Sequence, residues 1–369
     1  MSRPPRLAYV TRVAIPSGAA QSMQIAAMAT AFAHHLGGRF RLVSGAGDLP
    51  GGATPVCRWT RLERPRRPLG RYAAACVHAA GLAASGAVVF TRDIAIAATA
   101  LAVGGRAVFE AHKQPRTLVG WRLHDLLTHC PRLHVVAISQ ALADWYLARW
   151  PALRGRILAA HDGVFPEAYD AVRRLDRQVL RRELGLPGDR LVVAHTGSIY
   201  EGRGAELFGE VAASRPDILF VQVGGSAADA ARWAAHYRVL GADNVRFVER
   251  QTPESVRRWQ VAADLLFYVV TPRAEVHWCT SPLKLFEYMA AGTPILGAAI
   301  GSVREILAER NAFTYDPGQL TSLHAALAAF AANPAAAAQR AHCAEAEVRA
   351  SYDWRLRAAR IIAACVDRA

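Results

Sequence analysis

Short apolar runs alternate with longer amphipathic stretches along the whole chain, and this alternation restricts the fold more than any single residue does. Strand-like runs fall at 7–13, 40–43, 88–91, 107–110, 134–138 and 157–160, and again at 191–195, 218–223, 245–248, 265–269 and 294–296. Helical spacing fills the gaps at 19–35, 70–84, 118–128 and 140–150, then at 204–213, 229–240, 253–262 and 282–291. Strands separated by helices pair in parallel and are covered on both faces, so the pattern predicts doubly wound α/β sheets. At 369 residues and 52% hydrophobic content the chain can bury two such cores and is not a disordered protein. A charged, proline-bounded stretch at 162–190, with a helical 171–184, separates the halves. The expected domains are 1–168 and 169–350, followed by an amphipathic helix in 351–369 that carries Trp354, Ile361, Ile362 and Cys365.

The segment Ser281-Pro282-Leu283-Lys284-Leu285-Phe286-Glu287-Tyr288-Met289-Ala290-Ala291-Gly292-Thr293-Pro294-Ile295 is the most informative local one. Ser281 and Pro282 read as the N-cap and first residue of a helix, and Gly292 as its left-handed stop. Lys284 stands out because it puts a cation in the first turn, where the helix already carries positive partial charge. An anion held on the free amides removes that conflict, and phosphate is the usual one. Glu287 follows three residues later on the same face. Taken alone, the segment is equally an ordinary surface helix whose lysine snorkels into water.

Other loops sit at strand ends, where open α/β sheets place ligands. His195-Thr196-Gly197-Ser198 leads through Gly202, Arg203 and Gly204 into a helix, which gives a glycine-rich loop with amides open to an anion. Gly18 lies between the first strand and the first helix. Phe109-Glu110-Ala111-His112 ends a strand with His112 at its C-terminal tip. Gly224-Gly225 and the Glu249-Arg250-Gln251 stretch close two strands of the second half. Each of these is also compatible with a plain βα turn.

Together these segments resemble the retaining nucleotide-sugar glycosyltransferases of the family-4 type, which have the GT-B fold of two Rossmann-like domains facing a central cleft. The resemblance is densest over 281–295 and extends loosely to Arg304-Glu305. It implies transfer of a sugar from a nucleoside diphosphate sugar to a glycan, lipid-linked or small-molecule hydroxyl with retention, as in polysaccharide biosynthesis. It also implies that the last helix crosses back to the first domain. By resemblance, Thr280, Ser281, Pro282, Leu283 and Lys284 hold the diphosphate and Glu287 the ribose. Ser198 takes the place of a family arginine and Arg203 that of a family lysine. His112 contacts the donor sugar near the reacting centre, and Gly18, Gly197, Gly224 and Arg250 line the donor. The catalytic set is thus His112, Arg203 and Lys284. One position departs from the pattern: Cys279 stands where the family has a glutamate eight residues before Glu287, with Glu275 and His277 nearby. Asp162, in His161-Asp162-Gly163-Val164, replaces the usual asparagine.

Charge and cysteines set the context. Lys113 and Lys284 are the only lysines among 44 basic residues, and the formal net charge is +14. A basic balance favours anionic partners, namely lipid headgroups, acidic glycans or nucleic acid, and peripheral contact with an anionic membrane is one expectation. The arginines are spread along the sequence rather than interleaved with aromatics, which argues against nucleic acid. Six cysteines without a C-x-x-C pair point to a reducing cytosol, without a disulfide framework. No window has the roughly 18 unbroken apolar residues of a spanning helix, and 94–105 reads as a buried helix. Neither metal nor cofactor is expected, since cations cover the diphosphate and no aspartate cluster is visible. Two alternatives remain open: a GT-B epimerase or hydrolase acting on nucleotide sugars, and a degenerate protein that binds glycan or nucleotide without turnover.

Overall fold

The computed structural model describes residues 6–49, 54–63, 70–198, 201, 204–271 and 278–367. The chain divides into two compact units, Met1–Asp162 with Trp354–Ala369, and Gly163–Asp353. The division follows Asp162 rather than 168, because the intervening residues pack on the second unit: Val164 donates its amide to the Tyr352 carbonyl at 2.9 Å and Tyr169 is buried in the second core.

The first unit contains β1 (Leu7–Ile15), α1 (Ala20–Leu36), β2 (Phe40–Ala46), β3 (Trp59–Leu62), α2 (Gly70–Ala84), β4 (Val88–Thr91) and α3 (Ile94–Ala102). It continues with β5 (Arg106–Ala111), α4 (Leu118–Leu127), β6 (Leu133–Ala137), α5 (Gln140–Arg149) and β7 (Ile157–Ala159). All pairings are parallel, in the order β3-β2-β1-β4-β5-β6-β7. Valines, alanines and phenylalanines buried on both faces explain the apolar runs of β4 and of residues 107–109 and 135–137 in β5 and β6.

The second unit contains α6 (Asp170–Arg173), α7 (Arg177–Glu183), β8 (Val192–Thr196), α8 (Ala205–Ser214), β9 (Leu219–Val223), α9 (Ala227–Val239) and β10 (Val245–Val248). After these come α10 (Pro253–Ala262), β11 (Leu265–Tyr268), α11 (Leu283–Ala291), β12 (Ile295–Ala298), β13 (Phe313–Tyr315), α12 (Leu320–Ala332) and α13 (Pro334–Ser351). Its sheet is again parallel, in the order β10-β9-β8-β11-β12-β13. The last α-helix, α14 (Trp354–Ile361), belongs to the first unit, where Trp354, Ala358 and Ile361 are buried.

Three local differences from the sequence reading have physical causes. The expected helix at 171–184 is broken, because the Asp176 carboxylate accepts from the Val179 amide at 2.9 Å and caps a fresh start. Strands β3 and β13 were not expected. Both are short edge strands, and β3 is largely half-exposed, with Arg61 lying 4.1 Å over the Trp59 ring. The helix expected to start at Pro282 begins at Leu283: Pro282 is the extended N-cap, and Ser281, one residue earlier, is buried.

Candidate active site

In each sheet the strand order reverses beside the first strand of the unit, between β1 and β4 and between β8 and β11. Crevices outside the carboxyl ends of strands at such reversals are where open α/β sheets bind ligands. The sequence-predicted residues gather at the carboxyl ends of strands near these reversals, and each unit is described by itself.

In the second unit β8 runs into Gly197, whose φ of 96° is open to glycine and strained for other residues. A Cβ added to Gly197 would lie 3.2 Å from the Lys284 Nζ, so the lysine rests against this turn. Gly224, after β9, has φ 121°, and a Cβ there would come within 3.0 Å of the Gly197 backbone. The two glycine turns therefore touch. The Gln222 side-chain amide ties them by donating to the Gly197 carbonyl at 2.6 Å. Lys284 becomes the second residue of α11, inside the turn whose amides lack helical acceptors.

Lys284 Nζ lies 2.9 Å from His195 Nε2, and His195 Nδ1 lies 2.9 Å from the Phe267 carbonyl. The carbonyl only accepts, so Nδ1 carries the proton and Nε2 accepts from the ammonium. Burial, followed by the Lys284 charge, holds His195 well below the usual imidazole range, which keeps it neutral. The lysine is thus anchored on a neutral group, and its charge also acts on Glu287 of the same helix. Glu287, half-buried on the same helix, accepts from Gln260 Nε2 at 3.3 Å. Burial raises its carboxyl above the ordinary value, while Gln260, Lys284 and Arg257 only partly offset that. Gln260 also accepts from Tyr169 Oη at 2.8 Å and donates to Thr196 Oγ1 at 3.0 Å, and the Thr196 amide donates to Tyr288 Oη at 2.8 Å. This network fixes α10, α11 and β8 to one another.

The remaining donor-side residues are scattered in character. Thr280 accepts from Ser302 Oγ at 2.6 Å through its carbonyl, and Pro282 and Leu283 are half-buried. Ser198 follows the Gly197 turn, and Arg250 is exposed after β10. Cys279 is buried, and burial pushes its thiol up to about 11, so it supplies no charge where the family pattern has an acid. Arg203, Glu275 and His277 lie outside the described residues.

In the first unit Gly18 is exposed between β1 and α1, and His112 stands just beyond β5. His112 Nε2 lies 2.9 Å from Glu110 Oε2. Arg357 Nη2, from α14, donates to Glu110 Oε1 at 2.8 Å. Burial pushes the Glu110 carboxyl up, but Arg357, His112 and Arg92 together hold it well below its ordinary value. Asp162 is buried beside them and accepts from Gln24 Nε2, and Gln24 Oε1 accepts from Arg92 Nη1 at 2.5 Å. Burial raises the Asp162 carboxyl, with Arg357 working in the opposite direction. Sequence reading missed Gln24, Arg92, Gln260, Tyr169 and Arg357. The legible part of the signal was a charged or imidazole residue inside an otherwise apolar strand, as at Glu110 and His195.

Comparison with known proteins places the chain. Residues 203–363 match the family described as glycosyl transferase-like. Over its whole length the chain superposes on a complex of Anabaena HepE with UDP and glucose (TM-score 0.75, 17% identity, covering 98% of this chain and 100% of that one). It superposes equally on sucrose-phosphate synthase from Thermosynechococcus elongatus (TM-score 0.76, 18% identity, 97% of each chain). The chain has the GT-B fold, and its second half resembles the glycosyl transferase-like family. Among curated relatives, D-inositol 3-phosphate glycosyltransferase 1 of Catenulispora acidiphila is 31% identical over 183 residues, which is 46% of this chain and 42% of that protein. The corresponding enzyme of Mycobacteroides abscessus is 27% identical over 58% of this chain and 46% of its own length. The chain thus spans less than half the length of these curated relatives. Among the described residues there is no group of three metal-ligating side chains, and no helix is long and apolar enough to cross a membrane.

Proposed function

We propose that this GT-B protein transfers a sugar from a nucleoside diphosphate sugar to a glycan, lipid-linked or small-molecule hydroxyl, with retention at the anomeric carbon. One observation carries the reading: an ammonium anchored on a neutral histidine rests against a positive-φ glycine turn and the first turn of a helix. A diphosphate at the start of this helix meets both the ammonium and the helix's positive partial charge. The leaving diphosphate gains charge as the glycosidic bond breaks. Lys284, in the first turn of α11, is preorganised to stabilise it. Arg203 adds a second cation from the sequence pattern. Glu287, poorly compensated in its half-buried place, gains acceptor function on a ribose diol. Holding the nucleoside there aligns the reacting carbon with binding energy from a remote group.

Several structural neighbours are complexes with UDP or a UDP-sugar, and UDP is therefore the nucleotide we assign first. No metal enters the reading, since lysine, arginine and amides share the diphosphate. The protein works on the cytoplasmic side, in contact with anionic membrane. The net charge of +14 and the exposed Leu118, Val119 and Leu126 beside Arg122 on α4 support that contact. A second reading, a nucleotide-binding protein without turnover, is favoured by the neutral Cys279 alone.

Incubation of the protein with UDP-sugars and a panel of hydroxyl acceptors, followed by analysis of product anomers, tests the reading. Acceptor-dependent UDP release with a retained anomer is the expected result. UDP release that is independent of every acceptor, or an inverted product, would refute it.

A further inference from the structure

The ionic cluster of the first unit does more than hold two elements together. Glu110 and His112 are two residues apart, so as β5 ends their side chains leave on the same face of the sheet, and the carboxylate–imidazole contact is made locally. The partner that clamps the carboxylate arrives from the far end of the sequence. Arg357 of α14 donates to Glu110 Oε1 at 2.8 Å, to the His161 carbonyl at 2.8 Å and to the Ala160 carbonyl at 3.2 Å. Its Nη1 lies 2.9 Å from Met28 Sδ on α1. Both Arg357 and Glu110 have side chains only 2% exposed.

The two oxygens of Glu110 are therefore committed to different partners, Oε1 to Arg357 and Oε2 to His112. A carboxylate held that way cannot turn. Ionised, it can only accept, so the hydrogen between it and His112 belongs to Nε2. The charged groups acting on the imidazole are Arg92, which opposes its charged form, and Glu110 and Asp162, which favour it, while Arg357 is paired with both carboxylates. That balance, together with burial, favours a ring with a single proton.

We propose that Glu110 and Arg357 are positioning residues that lock His112 as its Nε2–H tautomer, so that Nδ1 is a fixed hydrogen-bond acceptor for a hydroxyl of the donor sugar or acceptor. Helix α14 is the fastener of this arrangement. The proposal rests on the glycosyltransferase reading for its consequence, but not for its geometry. Partners that orient a working histidine commonly affect activity by roughly ten- to hundredfold, as those behind metal-ligating histidines do.

The test uses the full chain with 15N-labelled histidine. In the wild type, His112 should show a protonated Nε2 and a bare Nδ1 at neutral pH. Glu110→Gln can pair with either ring tautomer, so the signal should become mixed. Its kcat should fall by roughly ten- to hundredfold while UDP affinity, which is set in the other unit, stays within twofold. Glu110→Asp keeps the charge and should recover the tautomer in part. If Glu110→Gln does not fold, Arg357→Lys, which keeps the charge but loses the fork, is read for the same mixture and the same loss in kcat. A protonated Nδ1 in the wild type, or a folded Glu110→Gln or Arg357→Lys variant with wild-type kcat, overturns the proposal. If the wild type transfers no sugar, the functional reading fails, and the tautomer spectra alone decide this one.

Discussion

Glu110 and Glu287 sit in the two units of one chain and are pushed in opposite directions by their surroundings. Around Glu110 the opposing charges outweigh burial and hold the carboxyl well below its ordinary value. Around Glu287 burial wins and the carboxyl is raised. In the first unit Arg357 and His112 lie 2.8 and 2.9 Å from Glu110, while burial still raises the neighbouring Asp162. The second unit holds a lysine on a neutral histidine and a glutamate that accepts from an amide. A cation at a helix start and a raised carboxyl are groups that a ligand can engage, and they stand together at the carboxyl end of β8 and the start of α11.

Substitutions should separate the two regions, and the largest effect is expected on stability in the first. Removing the carboxylate with Glu110→Ala takes from buried Arg357 its 2.8 Å partner and leaves Asp162 at 3.8 Å as counter-charge, at a cost of about 3 kcal/mol. Thermal unfolding should show it as a large drop in midpoint. Glu287→Gln, by contrast, should leave the midpoint unchanged or slightly raised. Should both variants lose stability equally, the contrast drawn here is wrong.

The next effect is on transfer. Lys284→Ala should lower kcat/KM by about 2–4 kcal/mol, the range seen when a donor to a developing anion is removed. Its midpoint without ligand should move little, because the neutral His195 keeps its bond to Phe267. Glu287→Gln should weaken UDP binding by about 1.5–3 kcal/mol, as for hydrogen bonds to charged groups, readable by calorimetric titration.

The pH dependence separates the regions more gently. Glu110 has a depressed folded value, so its contribution to stability is present above the ordinary 4.5 and is lost as pH falls towards the folded value. Glu287 has a raised folded value, so its contribution is largest at low pH and declines as pH rises from 4.5 through the folded value. Acid unfolding of Glu287→Gln should therefore track the wild type on the low-pH side, with Glu110→Gln losing the acid-dependent slope. The smallest effect concerns the membrane. Binding to vesicles containing anionic lipid should weaken with salt and with Leu118→Glu, and binding unchanged by either would remove the surface of α4 from the account.

The alternation of strands and helices was readable because parallel strands are buried on both faces, which makes β11, residues 88–90 of β4 and residues 192–194 of β8 apolar runs. Edge strands β3 and β13 carry no such run and were invisible for that reason. Lys284 was legible because a cation in a first turn violates a local rule. Gly197 and Gly224 were legible as breaks in apolar strands. The contact of Lys284 with His195 was not, since 89 residues separate them. Arg357 was less legible still. It lies 247 residues from Glu110, and in an arginine-rich chain nothing local marks it as buried. Sequence spacing reports which face of an element a residue takes, and only the closed fold reports which distant charge it meets.

The central claim is that a diphosphate binds at Lys284. Calorimetric titration of the wild type and of Lys284→Ala with UDP and with UMP tests it most directly. The account predicts that the wild type binds UDP well above UMP and that the variant loses most of that difference while keeping its affinity for UMP. A variant that retains the full preference for UDP would contradict it.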